Sequence, residues 1–157
     1  RISALGVVRA TAPHDFHDAL LEQLQRDLFS IGGHLATPDP ERVRAALEKA
    51  ELAPSRVTEF EAAMDAADKE LPPLTAFILP GGTRAAADCH LAGGTPKAAA
   101  LHVARTICRR AERSVVHLGL TDDVPELFVI YLNRLSDLLF TMARLANHRA
   151  GVGDVTW

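Results

Sequence analysis

Apolar side chains recur along most of the chain at alternating spacings of three and four, the repeat of helices that bury one face. Leu21, Leu24, Leu28, Ile31 and Leu35 form one such row behind a start signal at APHD, residues 12–15. Val57, Phe60, Met64, Ala67 and Leu71 form a second row after Pro54 and Ser55. The Leu71-Pro72-Pro73 stretch ends that helix, because proline lacks the amide donor and clashes with the preceding turn. A third long helix is predicted to open at GTPK (94–97), with Thr95 as the cap and Pro96 in the first helical position. It runs to about Leu118, where Gly119 stops it. The last helix starts near Pro125, with Asp122 and Asp123 complementing its dipole. Phe128, Leu132, Leu135, Leu139, Met142 and Ala146 make its seam, and NHRAG (147–151) closes it. A shorter helix is predicted over Ile2–Ala10.

Between these rows, residues 37–53 (TPDPERVRAALEKAELA) read as a connector with a helical turn or more. Strand signals are nearly absent: TAFIL at 75–79 is short, and Pro80 follows it. Long helices joined by short loops predict an all-α antiparallel bundle, with residues 1–157 as one domain.

One segment is repeated. GGTRAAADCHLA (81–92) and GGTPKAAALHVA (93–104) align without a gap and match at seven positions. Two copies are too few for a solenoid, which needs at least about three repeats. A local tandem duplication is the simpler reading, and only one copy can open the third helix. Thr95-Pro96 makes the second copy the better candidate.

Composition narrows the function classes. With 48% hydrophobic and 24% charged residues in 157, the chain is long enough to bury a core without disulfides. A net charge of −3 gives no reason to expect nucleic acid or an anionic membrane as partner. No apolar run reaches the roughly 20 residues that span a bilayer, and no secretory signal opens the chain. Cys89 and Cys108 read as reduced intracellular thiols, consistent with a cytoplasmic protein. The chain opens at Arg1 rather than Met, so a native N-terminal segment is expected to be missing.

Against that acidic background, ARTICRRAER (104–113) concentrates four arginines. On a helical wheel Arg105, Arg109, Glu112 and Arg113 fall within about 100° of one another. Ala104, Cys108, Ala111 and Val115 take the opposite side, small residues that admit a neighbouring helix. Glu112 can pair with Arg109, three residues earlier, but cannot neutralise three arginines. Two readings stay open: a solvated, salt-bridged face, or an anion site in which guanidinium forks meet phosphate oxygens. Asn133 and Asp137 form a second polar set on the last helix, with the same alternatives. His14 and His17 in HDFHD suit capping and solvent better than a metal. No Glu-x-x-His pair exists for a di-iron bundle, GGTPK lacks the P-loop order, and His102 reads as a helix-surface histidine.

The order FILPGGT (77–83), LHVARTICRRAERSVV (101–116), YLNRLSDLLF (131–140) and GDVTW (153–157) resembles the PduO-type ATP:cob(I)alamin adenosyltransferases, from about Leu20 onward. The resemblance implies a five-helix bundle with a ferritin-like, four-helix core, assembled as a homotrimer with active sites between subunits. It implies transfer of the 5′-deoxyadenosyl group of ATP to the cobalt of a reduced corrinoid, cob(I)alamin or cob(I)yrinic acid a,c-diamide, with triphosphate leaving. No protein nucleophile is needed; the protein orients the reactants. By the same resemblance Arg109 and Arg113 face ATP, with Glu112 and Arg110 beside them, and Asn133 binds the nucleotide with support from Asp137. Arg105 would salt-bridge an acidic residue across the interface. Phe77 would crowd the lower face of the corrin and displace its axial base, easing reduction to cobalt(I). ATP is expected with Mg2+, K+ is a candidate monovalent ion, and a B12-dependent enzyme would receive the product.

The family's Thr-Gly-Asp-x-Gly-x-Thr phosphate loop and the acidic part of its first-helix segment have no counterpart in this sequence. The alternative expectation is therefore a corrinoid-binding or delivery module that does not turn over. The duplication also adds twelve positions between Phe77 and Arg105 relative to the family.

Overall fold

The computed structural model describes residues 2–11, 17–37, 51–79 and 95–156. Five helices account for most of them: α1 Ile2–Thr11, α2 Asp18–Leu35, α3 Ser55–Asp68, α4 Pro96–Leu118 and α5 Glu126–Arg149. None is long and apolar enough to cross a membrane among the described residues.

α4 and α5 form the central pair; α3 packs on α5, while α1 packs on both α4 and α2. The pair is antiparallel, as its cross-links show. Thr95 at the head of α4 meets Asn147 near the end of α5, whereas Cys108 and Glu112 further along meet Leu132 and Asn133. Most of the seams predicted from spacing form the core, with Leu28, Leu35, Met64 and Ala146 partly buried against it and Val57 half-buried outside it. Leu21, Leu24, Ile31, Phe60, Phe128, Leu132, Leu135, Leu139 and Met142 are all buried together with Ala104, Cys108, Ala111 and Val115 of α4. Each fully buried large apolar side chain contributes about 1.5–3 kcal/mol, and small residues on α4 let the helix axes approach.

The long helices begin and end close to expectation. Thr95 Oγ1 accepts from the Ala98 amide at 3.0 Å, and Pro96 occupies the first turn. The cap is itself held: Asn147 Oδ1 accepts from the Thr95 amide at 2.9 Å. Gly151, with φ 74°, takes the left-handed conformation after α5 that a side chain would disfavour. Gly119 ends α4 differently, with φ −63° in the right-handed region, so its role there is not conformational.

Other expectations change. His17 holds the cap position of α2 but makes no side-chain capping bond. APHD lies outside the described residues, as do 38–50 of the connector, Cys89 and the first repeat copy. TAFIL contributes one isolated bridge, Ile78 to Thr156, with the Leu79 amide donating to the Val155 carbonyl at 2.8 Å. His102 is buried rather than on the surface, because its helix position turns it toward Phe140, edge-on at a centroid distance of 6.3 Å.

Two buried polar groups are absorbed into the bundle. Asp27 accepts from the Tyr131 hydroxyl at 3.0 Å and from Gln23 Nε2 at 2.8 Å, with Arg56 Nε 3.5 Å away. Burial, reinforced by the Asp27 carboxylate, pushes the Tyr131 phenol well above its ordinary pKa. At the other end of α5, Arg144 is only 6% exposed and reaches both Asp154 and the Pro72 carbonyl.

Candidate functional site

Arg109, Arg110 and Arg113 project from the outward side of α4 and are exposed, since the inward side is taken by Cys108, Ala111 and Val115. None of the three forms an ion pair among the described residues. A salt-bridged face would have placed carboxylates against them. The single carboxylate in the stripe, Glu112, is turned elsewhere: its Oε1 accepts from Asn133 Nδ2 of α5 at 2.9 Å. Thus the structure brings Glu112 and Asn133 together across the two helices, with uncompensated arginines flanking them.

Asp137 does not join that bond. It accepts from Arg134 Nη1 at 3.3 Å, and Arg134 Nε also lies 3.5 Å from Glu61 of α3. Arg105, one turn before Arg109, is half-buried. Its guanidinium carbon stands 5.0 Å over the Phe140 ring, and its Nε is buried without a hydrogen-bond partner. Cation–π attraction offsets part of that desolvation. His102 shares the pocket, with Nδ1 likewise unpartnered. Burial, then the neighbouring Arg105 charge, hold its pKa below the ordinary histidine value, partly countered by Asp154.

Phe77 belongs to an extended strap, residues 72–79, and is 84% exposed. Leu71 anchors the strap in apolar contact, buried with Ala67 and Leu145. An exposed phenylalanine offers a flat apolar surface.

Spacing did not single out Arg144, Asp154 or Asp27. The available signal was positional: Arg144 lies within the apolar run 142–146 and Asp27 between Leu24 and Leu28, where a charge must find a partner. An inter-helix cavity of about 350 Å³ is bounded by Ile31, Ala111, Val115 and Leu132, and no titratable side chain lines it among the described residues. Among the described residues no cluster of three metal-ligating side chains occurs.

The arrangement is an exposed cationic row beside a fixed carboxylate–amide pair, suited to a polyanion with a hydrogen-bonding head. The chain is 39% identical over 145 residues to a cobalamin adenosyltransferase of Cupriavidus metallidurans, covering 92% of this chain and 67% of the relative. It is 37% identical over 155 residues to a corrinoid adenosyltransferase of Bacillus subtilis, covering 98% and 71%. Among solved structures, a phenylalanine-to-alanine variant of the PduO-type ATP:corrinoid adenosyltransferase of Lactobacillus reuteri, complexed with cobalamin and ATP, superposes with a TM-score of 0.82. That match has 32% identity and covers 99% of this chain and 79% of the other. The cobalamin adenosyltransferase family model matches residues 2–93 and again 91–146, two segments that meet within the duplicated stretch. With nearly its whole length accounted for, the chain belongs to the cobalamin adenosyltransferase family.

Proposed function

We propose that the protein transfers the 5′-deoxyadenosyl group of ATP to the cobalt of a reduced corrinoid, cob(I)alamin or cob(I)yrinic acid a,c-diamide. In that reaction the cobalt(I) electron pair forms a bond to C5′, the C5′–oxygen bond breaks, and triphosphate departs with its electrons. Arg109 and Arg113 bind the triphosphate, where fixed guanidinium groups stabilise the charge that grows on the leaving oxygen. Glu112 and Asn133 hold the nucleotide in register, and Arg110 adds positive potential from further round the helix. Phe77 meets the corrin. The observation that carries this reading is the Asn133–Glu112 bond at 2.9 Å: it engages the carboxylate of the arginine stripe, and among the described residues Arg109 and Arg113 have no ion-pair partner.

Magnesium fits as a companion of the nucleotide rather than as a resident ion. Mg2+ is usually held by one or two carboxylates together with substrate phosphates, and Glu112 is the carboxylate within this set. When bound, the ion would neutralise triphosphate charge.

A homotrimer with sites between subunits completes the reading. The buried, unpartnered Nε of Arg105 supports it: leaving such a donor unsatisfied costs about 1–3 kcal/mol, which a facing acceptor from another subunit removes. Asp137, through Arg134, stiffens the α5 face that carries Asn133. The cytoplasm is the proposed compartment, and a B12-dependent enzyme is the proposed recipient.

The test is direct. Chemically reduced cobalamin and Mg-ATP, incubated anaerobically with the protein, should yield adenosylcobalamin, recognised by its light-sensitive absorbance. Corrinoid binding without an ATP-dependent product would leave a delivery module instead.

A further inference from the structure

The strap that carries Phe77 has little structure of its own. Residues 72–79 make no helical hydrogen bonds, and two prolines at its start remove amide donors. Its described tethers lie at its ends. At one end Arg144 Nη2 donates to the Pro72 carbonyl at 2.9 Å, and Leu71 is packed against Leu145 and Ala67. At the other end the Leu79 amide donates to Val155, and Ile78 pairs with Thr156. That second anchor is itself an extended segment, residues 152–156, and the same arginine holds it. Arg144 Nε and Nη2 both donate to Asp154 Oδ2, at 2.9 and 2.7 Å. One buried guanidinium therefore fixes both the entry of the strap and the segment against which its exit is paired.

We propose that Arg144 is a positioning residue: through Asp154 and the Pro72 carbonyl it clamps the strap at both ends and so fixes where Phe77 is presented. This rests on the assignment of Phe77 to the corrin made above. The fork is the essential feature. Lysine at this position keeps the charge but offers a single ammonium that cannot donate in two fixed directions.

Four variants test it: Arg144→Lys, Asp154→Asn, Phe77→Ala, and Arg144→Lys combined with Phe77→Ala, each as the whole chain. Loss of one charge-assisted hydrogen bond should speed exchange of the Leu79 amide by about tenfold in Arg144→Lys. Because displacement of about 1 Å can cost about 100-fold in rate, kcat/KM for the corrinoid should fall by about tenfold to 100-fold. The KM for ATP should stay unchanged. Asp154→Asn should follow in the same direction, and it keeps the question open to measurement if lysine disturbs folding. The deciding comparison is the double variant. If Arg144 acts through Phe77, its substitution has no further effect once the ring is gone. Equal losses in both backgrounds, or unchanged Leu79 exchange in both single variants, would overturn the clamp while leaving the Phe77 assignment intact. An unaltered corrinoid dependence in Phe77→Ala alone would instead remove that assignment, and the clamp with it.

Discussion

Asn133 on α5 donates its side-chain amide to Glu112 on α4 at 2.9 Å, tying the one carboxylate of the arginine stripe to the neighbouring helix. Turned toward Asn133, Glu112 leaves Arg109 and Arg113 without an ion-pair partner among the described residues. The same contact joins the two helices that carry the residues proposed to face the nucleotide.

Replacing Glu112 by alanine should therefore separate function from stability. The pair lies near solvent, where such contacts contribute about 0–1 kcal/mol, so the urea midpoint should move little. Nucleotide affinity should fall about tenfold, the cost of one misplaced charge-assisted contact. Isothermal titration with ATP and a urea melt on the same sample check both halves.

Tyr131→Phe should do the reverse. It removes the hydroxyl that donates to buried Asp27 at 3.0 Å and should cost about 1–3 kcal/mol in urea unfolding. Adenosyl transfer by the folded fraction should be unaffected. The same phenol gives a pH signature. Its folded pKa lies above the unfolded value of about 10, so its stabilisation is complete below pH 10 and lost as pH rises beyond that.

His102 has the opposite sign. Burial depresses its folded pKa, so the neutral ring contributes fully above the unfolded value of about 6.5, and stability declines as pH falls below that toward the folded pKa. Urea midpoints compared between pH 7.5 and pH 5.5 should show the decline in the parent chain and a shallower one in His102→Gln (pH settings about one unit either side of the ordinary histidine value).

Much of the bundle was legible because period alone fixes which side of a helix is buried. Leu132, Leu135, Leu139 and Met142 of α5 fall where their spacing puts them, and Thr95-Pro96 opens α4 as its capping chemistry requires. What spacing could not reveal depends on tertiary neighbours. His102 looked exposed until Phe140 covered it, and Asp137 turned to Arg134 rather than Asn133. The pairing of Glu112 also changed: a same-helix bond to Arg109 was available by spacing, but a partner across the helix pair took it. The partners of Arg144 were hidden for the same reason, since Asp154 and Pro72 reach it from other parts of the chain.

Salt provides another check on the cationic row. A triphosphate held by exposed guanidinium groups should bind more weakly as ionic strength rises from about 0.01 M, where the screening length is about 30 Å, to 0.15 M, where it is about 8 Å. Salt-independent ATP affinity would argue for a site dominated by neutral contacts.

The central claim is that α4 grips the nucleotide through Arg109 and its neighbours, and ATP titration into the Arg109→Ala variant tests it most directly. The account predicts affinity at least about tenfold weaker, with parallel loss of adenosylcobalamin formation and an unchanged urea midpoint, because this arginine is exposed and has no ion-pair partner among the described residues. ATP affinity equal to that of the parent chain would contradict it.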